Sequence, residues 1–97
     1  MIVIREIFQI KFGMAKQAIE ALNNGKVIIE KTANVPMRLL ADITGNSYTV
    51  TAEMTHESLA AFESSLSKHF SNPEWQKWYE SFKPLVSSSF REIMRIV

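Results

Sequence analysis

Four arginines, Arg5, Arg38, Arg91 and Arg95, carry the most evident chemical capacity in this 97-residue chain. Each lies in a stretch where apolar and polar residues alternate, the pattern of a β-strand whose side chains point to opposite faces in turn. Counted by that parity, all four fall on one sheet face together with Gln9, Asp42, Thr49, Thr51 and Glu53, and with the apolar Ile7, Leu40 and Ile93. A guanidinium fork fits a carboxylate or phosphate through two parallel hydrogen bonds, so arginines gathered on one face can hold a small anion. Asp42 and Glu53 can equally supply internal partners, which makes the same pattern the polar outer face of an antiparallel sheet. Both readings stand on the sequence. An acid–base role for either carboxylate is a further option, with burial raising its pKa and a neighbouring arginine lowering it.

Other chemistry is sparsely provided for. His56 and His69 are too far apart for two zinc ligands one helical turn apart. They are expected to be solvent-facing, one at the start of a helix and one in its last turn, where the dipole favours a cation. Without cysteine, thiolate metal sites, disulfides and thiol nucleophiles are excluded. Phosphate-binding loops and serine-nucleophile motifs are missing, and the serine run 87–89 has no evident histidine–carboxylate partner. No cofactor or metal is implied. Trp75, Trp78, Tyr79 and Phe82 follow helical spacing and are expected to pack into the core, or in part against a partner subunit. A net charge of +1 and no basic patch between these rings argue against nucleic acid.

The elements that must position these groups follow from the periodicity. Residues 1–12 alternate as a strand, with Glu6 interrupting the apolar parity and marking a bulge or a solvent-facing end. After Gly13 the period becomes helical from Met14 to Thr32. Asn23-Asn24-Gly25 is a turn signal inside this stretch, and one continuous helix is the favoured reading. Past Pro36, residues 37–43 and 48–54 alternate around Gly45-Asn46 as a β-hairpin. Thr55 is a candidate cap for the second helix, with Glu57 in its first turn and Leu59, Phe62, Leu66 and Phe70 on its apolar stripe. Asn72-Pro73-Glu74 restarts the helix and Pro84 ends it. The serines then lead into a last strand, with Phe90, Met94 and Ile96 on the apolar parity.

The order βαββαβ over residues 1–97 predicts a single ferredoxin-like α+β domain: a four-stranded antiparallel sheet with helices on one face. Within it, Glu57-Ser58-Leu59, Asn72-Pro73-Glu74-Trp75-Gln76 and Pro84-Leu85 resemble the second half of NIPSNAP-like domains. The junction Ile10-Lys11-Phe12-Gly13 is similar to that of the dimeric α+β barrel superfamily, with Phe12 where those proteins usually have proline. NIPSNAP-like domains tend to carry a His and a Trp in the strand before the second helix, at places held here by Ala52 and Met54. Ligand contacts of those two side chains therefore do not transfer.

The resemblance implies a homodimer whose two sheets face each other as a barrel, with a lumen lined by Arg5, Arg38, Asp42, Glu53, Arg91 and Arg95. The leading expectation is a protein that binds a small molecule there, which the arginines would suit to an anion; the alternatives are a cofactor-free oxygenase or isomerase of the antibiotic-biosynthesis-monooxygenase type, and a structural partner-binding module whose lumen is plugged by side chains. The chain is expected to act in the cytoplasm, since no stretch approaches a membrane span or a signal-peptide core. With 46% apolar residues, more apolar side chains are present than one helix-covered sheet face uses, and a second copy of the chain is the expected cover.

Overall fold

The computed structural model describes all residues, 1–97. Strand β1 (Ile2–Ile10) is followed by helix α1 (Ala15–Ala33), the hairpin strands β2 (Met37–Ala41) and β3 (Thr49–His56), and helices α2 (Leu59–Phe70) and α3 (Pro73–Phe82). A single 3₁₀ turn, Lys83–Leu85, then leads into β4 (Val86–Arg95). The sheet order is β2-β3-β1-β4 with every neighbour antiparallel. This is the ferredoxin-like arrangement that the periodicity predicts.

Local signals account for most boundaries. Helix α1 runs unbroken through Asn23-Asn24-Gly25, and Asn34 closes it in the left-handed conformation (φ 56°). Gly25 is buried, and a Cβ there would overlap the indole of Trp78. The apparent turn signal is therefore a notch in which α3 seats its tryptophan, and Trp78 Nε1 donates to the Ala21 carbonyl at 2.7 Å. Asn72 caps α3 by accepting from Glu74 N at 2.9 Å, with Pro73 in the first turn where its missing N–H costs nothing.

Some expectations need correction. The second helix is capped not by Thr55 but by Ser58, whose Oγ accepts from Ala61 N at 3.1 Å. Strand β3 therefore extends through His56, because β1 pairs it along its whole length down to Ile2 opposite His56. The hairpin strands are shorter at the turn: Asp42 closes the ladder, its N donating to the Thr49 carbonyl at 3.1 Å and its Oδ1 accepting from Thr49 N at 3.0 Å. Glu6 marks no bulge. The irregularity falls at Gln9/Ile10 against β4.

The helices cover one sheet face. Ile10, Ala18, Leu22, Val50 and Phe82 form the buried cluster, with Ile4, Met37 and Ala52 also buried beneath the helices. The opposite face has no cover. By register it carries Val3, Arg5, Ile7 and Gln9 of β1, Arg38 and Leu40 of β2, the odd-numbered residues of β3 from Thr49 to Thr55, and Phe90, Glu92 and Met94 of β4.

Candidate functional site

The arginines do not share a face. Ile4 pairs with Ile93 and Glu6 with Arg91, which places Arg91, Ile93 and Arg95 on the helix side of β4. Only Arg5 and Arg38 lie on the uncovered face. The parity expected for β4 was inverted because β4 is an edge strand outside the cover of the helices. Its residues stay largely exposed on both sides, so apolar parity had no core to report, and the register follows from backbone pairing with β1.

On the uncovered face, Glu53 is held between two guanidinium groups. Arg5 Nε lies 2.8 Å from Oε2, and Arg38 Nε 2.8 Å from Oε1. The hydrogen bonds from Arg5 and Arg38 hold the Glu53 carboxyl below the usual carboxylate range against the opposing effect of burial. Asp42 joins no arginine and serves the hairpin connection instead. Of the residues expected to line one anion site, Arg5, Arg38 and Glu53 come together, Asp42 stands apart at the turn, and Arg91 and Arg95 lie on the other side of the sheet.

A second constellation forms between sheet and helices. A cleft of about 470 Å³ opens there, with 14 of its 18 lining residues hydrophobic. Its floor is Ile4, Glu6, Phe8, Met37, Ala52, Met54, Ser89 and Arg91 from the sheet. Its roof is Leu22 and Ile29 of α1, Phe62, Leu66, His69 and Phe70 of α2, and Trp75, Trp78, Tyr79 and Phe82 of α3. The aromatic stripe of α3 thus does two jobs. Phe82 and Trp78 stack in the core at 5.1 Å, whereas Trp75 and Tyr79 stack on each other at 4.8 Å and extend the cleft wall.

Four polar side chains interrupt this wall: Glu6, Ser89, Arg91 and His69. Glu6 and Arg91 form an ion pair through Arg91 Nε, and the guanidinium also lies 5.0 Å from the centroid of the Phe62 ring. Glu6, which breaks the apolar parity of β1, was the legible signal for this site. Its meaning depended on the residue opposite it.

Both histidines are buried, 4% exposed for His56 and 6% for His69, contrary to the solvent-facing roles expected of them. His56 ends β3 and packs against Phe62, while His69 on α2 stacks over Trp75. The Nε2 atoms of both are buried without a hydrogen-bond partner. Desolvation lowers both pKa values, so the rings are neutral near pH 7. For His69 a backbone hydrogen bond with Ile29 opposes the shift, and the charge of His56 adds to it. No three acidic or histidine side chains cluster to hold a metal ion.

An α+β sandwich with an aromatic cleft between a four-stranded sheet and its helices is the class of protein that this fold and site define. Solved structures of the same fold match along the whole chain. An uncharacterized NIPSNAP domain protein from Burkholderia xenovorans has a TM-score of 0.90 at 12% identity, covering 100% of this chain and 95% of its own. A NIPSNAP family protein from Agrobacterium tumefaciens has a TM-score of 0.89 at 18% identity, covering 99% and 92%. SnoaB, a cofactor-independent oxygenase from Streptomyces nogalater, has a TM-score of 0.74 at 11% identity, covering 98% and 91%. The chain has the fold of the NIPSNAP family proteins. No protein-family profile matches its sequence, and no curated protein does. No helix is long and apolar enough to cross a membrane.

Proposed function

We propose that this protein binds a small, largely apolar molecule in the cleft between its sheet and helices, and that it does so as a homodimer joined through the uncovered sheet face. The cleft carries the first part. Its volume lies within the range of small-molecule sites, and a mainly apolar wall with a few fixed polar groups is their usual composition. The anionic ligand expected from the arginines is not favoured in the cleft, because the one arginine lining it, Arg91, is already paired with Glu6, while Arg5 and Arg38 share Glu53 on the other sheet face. Ala52 and Met54 line the cleft at the two places where the family resemblance expects a His and a Trp. Small and flexible side chains there leave room for an occupant.

The dimer rests on the composition of the uncovered face, where Val3, Ile7, Leu40, Phe90 and Met94 surround the Glu53 clamp. The accessible surface is 6336 Å², several hundred Å² above the roughly 5,600 Å² typical of a monomer of this mass. A standard interface covers about 800 Å² on each partner, which is close to that excess.

Likeness to a cofactor-independent oxygenase supports a second reading, in which the bound molecule reacts with oxygen through its own reactivity. Oxygen uptake in the presence of a bound ligand separates the two. The test of the binding reading is a thermal-shift screen of apolar aromatic compounds on the wild type and on Ala52→Leu, which fills the cleft. Binding to the folded state alone raises the melting midpoint, and the shift is expected for the wild type and lost in the variant. No shift with any compound, or equal shifts in both proteins, would overturn it.

A further inference from the structure

The uncovered sheet face carries its charges in one line. The pairing register sets Arg38 opposite Glu53, Glu53 opposite Arg5, and Arg5 opposite Glu92. From β2 across β3 and β1 to β4 the signs alternate: plus, minus, plus, minus. The next row on one side is Leu40, Thr51, Ile7 and Phe90. On the other side Thr55, Val3 and Met94 lie in line. One charged row with no net charge is thus flanked by rows that are uncharged and mainly apolar.

Within a single protomer the row is incompletely paired. Glu53 accepts from Arg5 and Arg38 and is only 11% exposed. Glu92 is exposed and joins none of the protomer's ion pairs, whose acidic partners are Glu53, Glu80 and Glu6. Arg38, at the opposite end, is 68% exposed and reaches Glu53 through Nε, leaving the outer nitrogens of its fork free. A cation on β2 and an anion on β4 therefore stand at the two edges of the sheet, each with bonding capacity to spare.

A row that alternates in this way is complementary to its own reverse. A two-fold axis running along the strands, between two facing sheets, keeps each row at its own height and reverses its order. Strand β2 then faces β4 of the partner, and β3 faces β1. Every member of the charged row meets the opposite sign, and in the neighbouring row Leu40 meets Phe90 of the partner subunit. Facing sheets pack about 10 Å apart, a gap that arginine and glutamate side chains close from opposite sides. An axis laid across the strands does not achieve this. It sets like charges on each other, or moves the charged row onto an apolar one, and both arrangements are unfavourable.

We infer that this row selects a second copy of the chain and fixes the direction of the two-fold axis, with Arg38 of each protomer bonded to Glu92 of the partner subunit. The inference rests on the homodimer proposed above. It adds what chooses the partner: the two ends of the row, unfinished in one copy, complete each other in two. Two-fold symmetry makes the bond twice.

The experiment measures dimer dissociation by sedimentation equilibrium for the wild type, for Arg38→Glu and Glu92→Arg each alone, and for the two variants mixed in equal amounts. Each reversal alone sets like charges together at both copies of the contact and should raise the dissociation constant at least about tenfold. In the mixture a heterodimer pairs opposite charges at both contacts, so association should return towards the wild-type value. Comparison of the mixture with the two separate variants cancels effects inside a protomer, such as the reversed charge at position 38 beside Glu53. A mixture that associates no more tightly than its components would overturn the inference and leave the homodimer standing, as would a reversal that dimerises like the wild type. A wild-type monomer would overturn both. Should a reversal impair folding, Arg38→Gln, Glu92→Gln and the double variant decide instead. The two single losses should fail to multiply in the double variant, and losses that do multiply would show that the side chains do not meet.

Discussion

The indole of Trp78 occupies the space that a side chain at Gly25 would need. Two helices are thereby docked by a single notch, with the Nε1–Ala21 hydrogen bond fixing the ring across it. In an exposed helix interior, alanine is preferred over glycine by about 1 kcal/mol. At Gly25 the sign is expected to reverse, because the added methyl must displace either α1 or the indole. Gly25→Ala should destabilise the fold by about 1–3 kcal/mol in urea titration. A stabilised variant would show that Trp78 is not seated there.

Acid sensitivity should come from the histidines. The pKa values of His56 and His69 are lowered in the folded state from an ordinary value near 6.5, so the unfolded chain binds more protons as pH falls below that value. The stability this contributes is fully present above about pH 6.5 and is lost as pH drops towards the folded-state values. Melting temperatures measured from pH 7.5 to 5 should decline, and the decline should flatten in His56→Phe combined with His69→Leu. An unchanged slope in the double variant would place the acid sensitivity elsewhere.

Glu53 acts in a lower pH window. Its folded-state pKa lies below 4.5, so its contribution is present above that value and lost as pH falls through the folded one. Arg38 is 68% exposed and Arg5 39%, and solvent screens both bonds. Glu53→Gln in an isolated protomer should therefore cost only about 0.5–1 kcal/mol, and less in high salt. A larger loss in the wild-type assembly would mean that a second copy covers the clamp. Denaturation at two salt concentrations measures both effects.

The uncovered face yields a test of assembly. Leu40 and Phe90 are 39% and 58% exposed in the single chain, so Leu40→Glu and Phe90→Glu should change protomer stability by about 0.5 kcal/mol or less. In a homodimer built on this face, each places a charge in the interface. Sedimentation is expected to show a wild-type dimer and monomeric variants at micromolar concentration. A wild-type monomer would remove the dimer.

Much of this molecule was determined locally. The alternation of residues 1–12, the helical period after Gly13 and the Asn72-Pro73 start signal each set backbone geometry through near neighbours, and the βαββαβ order and its sheet follow. Glu53 was legible as a partner for arginines because β1, β2 and β3 have a core beneath them, so their apolar parity reports their faces correctly. The start of α2 was not legible from Thr55, because cross-strand pairing with β1 carries β3 past it to His56.

What only the tertiary structure decided lies where distant residues meet. Arg91 took its place opposite Glu6 through backbone pairing between strands 85 residues apart. An edge strand without cover has no burial pattern from which that register could be read. The burial of His56 and His69 likewise depends on α2 closing over the sheet, and a single helix's periodicity cannot show how far above the sheet the helix will sit. That spacing is what opens the cleft, and it is a property of how the layers pack. The chain specifies its elements through short-range geometry, and its candidate site exists only once those elements are stacked.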